Sequence, residues 1–237
     1  MPHSLVFEPQ STTTSLLNQI GNFSSQFTLD DRQSSTRQDI EALIKQEFYL
    51  KHQAEVTHFL PLLLSLRCAG NLSSAIGIQS AAQGALFLEQ YLTAPIEQIL
   101  SAQENRGILR SEILEIGNLV SARSGSSLML MVALSELIAD SPFRWVTFTA
   151  TPEVLSLLAK LRYNPVFLTQ AKPDMLQSAQ CWGGYYQKQP KVMAGLALPA
   201  ILTSRQLPRY QLIAKLIAPQ LHLLKPLFNR LTEVEYV

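Results

Sequence analysis

A chain of 237 residues with 47% hydrophobic and 16% charged side chains is long enough to bury one sizeable core and too apolar to remain disordered. Its net charge of +1 excludes the broad basic surface of a nucleic-acid binder, and its four histidines and two cysteines form no metal-ligand motif. The charge is unevenly spread: residues 1–174 carry 12 basic and 16 acidic side chains, whereas residues 175–232 carry seven basic ones and no acid. No apolar run approaches the roughly 18–20 residues that span a bilayer, and the first residues lack a basic-then-apolar signal pattern. The expectation is a soluble, cytoplasmic protein.

In chain order, Ser4 to Phe7 reads as a short strand, and Gln10 to Ser35 is a Ser/Thr/Gln-rich stretch with little periodicity. Ile40, Leu43, Ile44 and Phe48 at helical spacing predict a helix from Thr36 to His52. A strand from Thr57 to Cys68, with Pro61 marking an edge or bulge, joins one from Ser74 to Ala82 through the turn Ala69-Gly70-Asn71. Leu86 to Gln103 reads as helical with a break at Pro95. From Glu112 to Val120 apolar residues alternate and then run together, as in a strand covered on both faces. The small-residue loop Ser121 to Ser127 follows, and then a helix from Leu128 to Ala139 that is apolar nearly all round.

Arg144 to Thr149 is the next strand, Glu153 to Arg162 a helix opened by Pro152, and Pro165 to Thr169 a further strand. This alternation implies locally parallel strands. Lys172 to Ala179 reads as a short helix, and Trp182 to Tyr186 with Val192-Met193 as a final strand pair. Beyond Arg205 apolar residues recur at helical spacing, but Pro208, Pro219 and Pro226 divide that stretch into two or three short helices. The result is an α/β (α+β) domain over residues 4–203 with a mixed central sheet flanked by helices, and a basic helical tail over 204–237. The tail packs on the domain or on a second copy, lies on an anionic membrane surface through residues 205–232, or is mobile.

Three groups of residues carry chemistry. Glu115, inside a doubly covered strand, must be paired, hydrogen-bonded or protonated. It is a candidate general base or anchor for a substrate amine, or else the partner of Arg67, Arg110 or Arg144; Glu112 at the strand's start is the solvated competitor. Arg123, Ser124, Gly125, Ser126 and Ser127 lie where a strand hands over to a helix N-terminus, which makes an anion site or an ordinary capped turn. Trp182, Tyr185 and Tyr186 line a pocket or fill the core.

The order of hairpin, long strand, Gly/Ser loop, helix, strand, helix and strand resembles the acyl-CoA-dependent N-acyltransferase (GNAT) fold. Four segments in sequence, Phe87 to Leu92 (FLEQYL), Glu115 to Leu119 (EIGNL), Arg144 to Thr151 (RWVTFTAT) and Trp182 to Tyr186 (WGGYY), are similar to the bacterial thermostable hemolysin family, which is related to autoinducer synthases. The resemblance implies CoA or acyl-CoA as cofactor. Its pantetheine would lie along Asn118, Leu119 and Val120, and its pyrophosphate on residues 123–127. The GNAT loop pattern Q/R-x-x-G-x-G/A is matched only loosely: from Ala122, Gly125 is in register and Ser127 stands last with no Gln or Arg first, whereas from Arg123 the first position is met and the glycine is lost; Leu158 stands near the place of the usual tyrosine acid. By strand alternation Asn118 points away from Glu115; it would bond a pantetheine amide or satisfy a bulge. The family name implies lysis of red cells, directly or through the product of an acyltransferase.

Overall fold

The structure, a computed structural model, describes residues 25–176 and 178–232; the strand expected over residues 4–7 lies outside them. Seven strands form one mixed sheet in the order β1-β2-β3-β4-β5-β7-β6. They are β1 (Ser25–Asp30), β2 (Leu62–Cys68), β3 (Asn71–Ser80), β4 (Ile113–Ser121), β5 (Trp145–Ala150), β6 (Val166–Gln170) and β7 (Lys191–Leu196). The helices are α1 (Arg37–His52), α2 (Ile96–Glu104), α3 (Ser126–Ala139), α4 (Pro152–Lys160), α5 (Ala197–Ser204) and α6 (Pro208–Asn229). All neighbouring strands are antiparallel except β4 and β5.

The even-numbered residues of β2 (Leu62, Leu64, Leu66) and Ile76 and Ile78 of β3 enter the main core with α3 and α6, while Leu63 and Ala75 face α1. This is the two-residue period of a sheet buried on both sides. β1 lies within the stretch read as irregular: its polar composition hides Phe27 and Leu29, which alternate inward and are 5% and 9% exposed. β2 starts at Leu62 rather than residue 57, because Pro61 has no N–H to give a ladder. The residues before it are held by side chains instead. The buried Arg37 donates to the carbonyls of Leu60 (2.9 Å) and Pro61 (2.7 Å).

Two other expectations change. Trp182 to Tyr186 forms no strand; it lies in two 3-10 turns, Ala179–Trp182 and Tyr185–Lys188. Gly183, at φ 48°, closes so tightly on the end of α1 that a Cβ there would stand 2.4 Å from the carbonyl oxygens of His52 and Gln53. The Gly184 N–H donates to the His52 carbonyl at 2.6 Å. The stretch beyond Arg205 is one 22-residue helix, α6, running through Pro219 and Pro226. Both prolines are exposed, so the carbonyls they leave unbonded face water. Tyr210, Ile217, Leu221, Leu224 and Phe228 sink into the main core. Gln220 reaches the outer edge of β1, accepting from Phe27 N (2.9 Å) and donating to Ser25 O (2.7 Å).

Candidate functional site

The site forms where β4 and β5 part. Their parallel register ends at Ile116 opposite Phe148, although β4 runs on to Ser121 and β5 to Ala150. On its other side β4 carries a bulge: Gly77 of β3 faces Gly117 and Ala75 faces Val120, so Ile76 alone opposes Asn118 and Leu119. Asn118 takes φ 50°, a left-handed conformation that asparagine tolerates well. The extra residue inverts the alternation, so that Leu119 packs on the main core and Val120 is buried under α1. Asn118 is thereby turned to the face of Glu115, and the opposite placement expected from simple alternation is wrong. Its amide is already engaged, accepting from Leu60 N (3.0 Å) and donating to His58 O (3.1 Å). Gly77 is required here: a Cβ would meet Asn118 Oδ1 at 2.8 Å and Leu60 Cβ at 2.9 Å.

Glu115 is 3% exposed and pairs with none of the three arginines considered for it. Arg110 binds Glu89 and Glu97, Arg144 binds Glu112, and Arg67 approaches Asp39. Its carboxylate instead accepts the backbone N–H of Phe87 (2.8 Å) and Leu88 (3.0 Å). Burial pushes its pKa up to about 7 against the pull of these two amides, and the charge of Glu89 adds to the rise. The two amides belong to a 3-10 turn, Phe87–Tyr91, where an α-helix was expected. Glu89 fixes that turn by accepting from Leu86 N (2.7 Å) and Ile96 N (2.9 Å) and pairing with Arg110 (2.8 Å). Glu112 is half-buried; it pairs with Arg106 and Arg144 and accepts from Leu109 N (3.2 Å), away from the cavity.

Glu115 and Asn118 share a cavity walled by the rings of Phe48, His58, Phe87, Tyr91, Trp182 and Tyr185. The rings interlock, with Trp182 centroids 5.7 Å from Phe87 and 5.3 Å from Tyr185. Tyr186 stands behind them, its hydroxyl 2.6 Å from that of Tyr91. Of the aromatic trio singled out from the sequence, Trp182 and Tyr185 line the cavity and Tyr186 buttresses it. A second cavity occupies the gap between β4 and β5, bounded by Leu119, His52, Thr149 and Leu158 and sharing Tyr185 with the first. Two buried polar atoms on its walls, His52 Nδ1 and Thr149 Oγ1, have no hydrogen-bond partner among the described residues. Burial lowers the pKa of His52 and of His58, so both rings are neutral near pH 7.

The loop after β4 is closed by its own bonds. Ser126 Oγ lies 3.0 Å from Ser73 O and 2.8 Å from Arg123 O, and Ser121 Oγ is 2.8 Å from Arg123 O. Gly125, at φ 83°, opens α3, while Arg123, Ser124 and Gly125 are exposed and Ser127 is half-buried. Lys51, from the end of α1, donates to Ser121 O (3.1 Å) and pairs with Glu47 (2.8 Å), which sets a second, partly neutralised cation beside the loop. Sequence reasoning missed Lys51, Phe48, His58 and Thr149. They come from distant segments, and no local pattern joins them.

No curated protein matches this chain. Among solved structures, the AHL synthase LasI superposes at a TM-score of 0.51 and 10% identity, covering 76% of this chain and 95% of LasI. The apo form of TofI aligns at 0.49 and 9% identity over 78% of this chain and 99% of its own. FeeM, an N-acyl amino acid synthase from uncultured soil microbes, aligns at 0.48 and 12% identity over 76% and 95%. Identities this low speak for architecture alone, and the architecture is the GNAT-like one. The family model described as thermostable hemolysin matches residues 30–200, which take in every strand but β1 and the whole of the site; the chain belongs to the thermostable hemolysin family.

Proposed function

We propose that this protein is an acyltransferase that moves an acyl group from a CoA thioester to an amine, with Glu115 as general base. The observation that carries this reading is the state of Glu115: a carboxylate with no cationic partner among the described residues, poised near neutrality, on the wall of a ring-lined cavity. The β4–β5 gap fits the amide-bearing arm of CoA, because it offers unpaired strand edge together with Thr149 Oγ1 and His52 Nδ1. Arg123, Lys51 and the exposed amides of residues 123–125 would hold its phosphates.

When bound, the thioester supplies an activated carbonyl and a thiolate leaving group. Glu115 takes the proton from the attacking amine as the C–N bond forms, and the two amides of Phe87 and Leu88 steady its charge until then. Tyr185, which burial keeps protonated, lines both cavities and would donate a hydrogen bond to the sulfur as the C–S bond breaks, the proton taken up by Glu115 passing to solvent and the released thiolate gaining one there. A third, apolar cavity shares Ile116, Met131, Phe148 and Leu158 with the gap, which favours a long acyl chain over acetyl. Lysis then follows from the product, since acylating a polar amine makes a surfactant. The test is free-thiol release from acyl-CoAs of increasing chain length in the presence of amines. Glu115→Gln should lower kcat/KM at least 100-fold, within the range that general bases contribute. Wild-type turnover in that variant, or no thiol release with any chain length, would sink the proposal.

A further inference from the structure

Helix α6 carries two apolar stripes, and only one is used by the fold. The inward stripe includes Tyr210, Ile217, Leu221 and Phe228, all at most 3% exposed. The outward stripe is Leu212, Leu216, Leu223 and Leu227, exposed by 38%, 41%, 72% and 39%. At about 100° per residue these four leucines fall within a sector of about 60°. Arg209 and Arg230 stand at the two ends of the same sector and Lys215 lies beside it, all exposed. The other cations of this region are spoken for: Arg205 pairs with Glu136 and Lys225 with Asp140. Arg209, Lys215 and Arg230 form no ion pair among the described residues, and the acids nearest to them in this part of the sequence, Glu233 and Glu235, lie outside those residues.

A leucine stripe bounded by cations that have no acidic partner among the described residues fits a surface that is apolar below and anionic above. A second copy docking antiparallel about a two-fold axis would set Arg209 of one copy against Arg230 of the other, and a parallel one would set each cation near its own equivalent, which argues against a dimer through this face. No described helix is long and apolar enough to cross a membrane, so the contact lies in the plane of the surface. We propose that the outward face of α6 docks the protein on anionic lipid, with the four leucines entering the headgroup boundary and Arg209, Lys215 and Arg230 on the lipid phosphates. This proposal is independent of the acyltransferase reading: the two use different residues, and either can fail alone.

The test is co-sedimentation of the full chain with phosphatidylcholine vesicles, with and without about 30 mol% phosphatidylglycerol, where each basic residue near the surface contributes roughly fivefold in partitioning. Binding is expected on the anionic vesicles and at least about tenfold weaker on the neutral ones. Leu216→Ser with Leu223→Ser should abolish it, and Arg209→Gln with Lys215→Gln should weaken it about 25-fold. Absence of binding to anionic vesicles, or binding unchanged in both double variants, overturns the proposal. Two controls overturn it in favour of another occupant. A dimer in light scattering that the leucine variant dissociates assigns the face to a second copy. A fall in Tm in that variant assigns it to a segment of the chain itself, such as residues 1–24.

Discussion

Replacing Glu115 by glutamine should change how stability depends on pH. Burial holds the folded-state pKa at about 7 against an ordinary 4.5. The native protein therefore keeps, between these values, a proton that the unfolded chain has already released. The associated stability is fully present below about pH 4.5 and is lost as pH rises through about 7, at about 1.4 kcal/mol per pH unit, or about 3 kcal/mol in all. The glutamine side chain cannot ionise, and its amide leaves one of the two N–H donors of Phe87 and Leu88 unmet, which costs about 1–2 kcal/mol. Near pH 4.5 the variant is thus the less stable by about 1 kcal/mol; near pH 8 it is the more stable by about 2 kcal/mol. Urea unfolding of both proteins across that range isolates Glu115, because the other titrating groups cancel in the difference apart from Glu89, whose charge acts on it. A difference that does not move with pH refutes a buried, ionising Glu115 and with it the poised base.

Gly183→Ala should destabilise the fold by about 3 kcal/mol or more, since the new Cβ meets two backbone oxygens at 2.4 Å in a conformation that only glycine adopts well; urea midpoints check it. Asn118→Ala removes both bonds to the segment at His58 and Leu60 and places alanine at φ 50°, so Tm should fall by about 4 °C or more. Phe228→Ala, which empties a fully buried site against Phe143, should lose about 3–5 kcal/mol, and truncation after Ser204 should leave no cooperative unfolding transition. Each variant is a check on packing alone, readable by circular dichroism without any ligand.

Much of the fold was legible because the chain obeys local rules where it is most regular. The strand at Glu115, the Gly/Ser loop and the apolar helix α3 stand within two residues of where periodicity places them. So do α1 and β5, while β6 runs one residue later than read. What escaped depends on long-range partners. β7 inserts between β5 and β6, so these two strands run the same way without touching, and nothing local in either segment announces that. The bulge at Asn118 is decided by Gly77 on another strand and by the chain at Leu60. α6 continues through two prolines because its inward face is worth more to the core than two solvent-facing helix bonds. Of the candidate site, Glu115 was legible from its burial in an apolar strand. Its lack of a cationic partner among the described residues was not, because Arg110 is drawn off by Glu89 and Glu97, residues that the 3-10 turn brings together.

The amide of Gln220 also bears on how the two ends of the sheet meet other molecules. On β1 it offers one acceptor and one donor at the spacing of a neighbouring peptide group, so a single side chain stands in for an eighth strand. An incoming chain finds those positions on β1 occupied and α6 in its way, which blunts edge-to-edge association. Among the described residues the opposite edge has no such guard: β6 presents Val166 and Phe167, 48% and 54% exposed, beside its outer ladder groups. Aggregation on heating is then expected to begin at β6 while β1 holds, an uneven defence of the sheet's two borders.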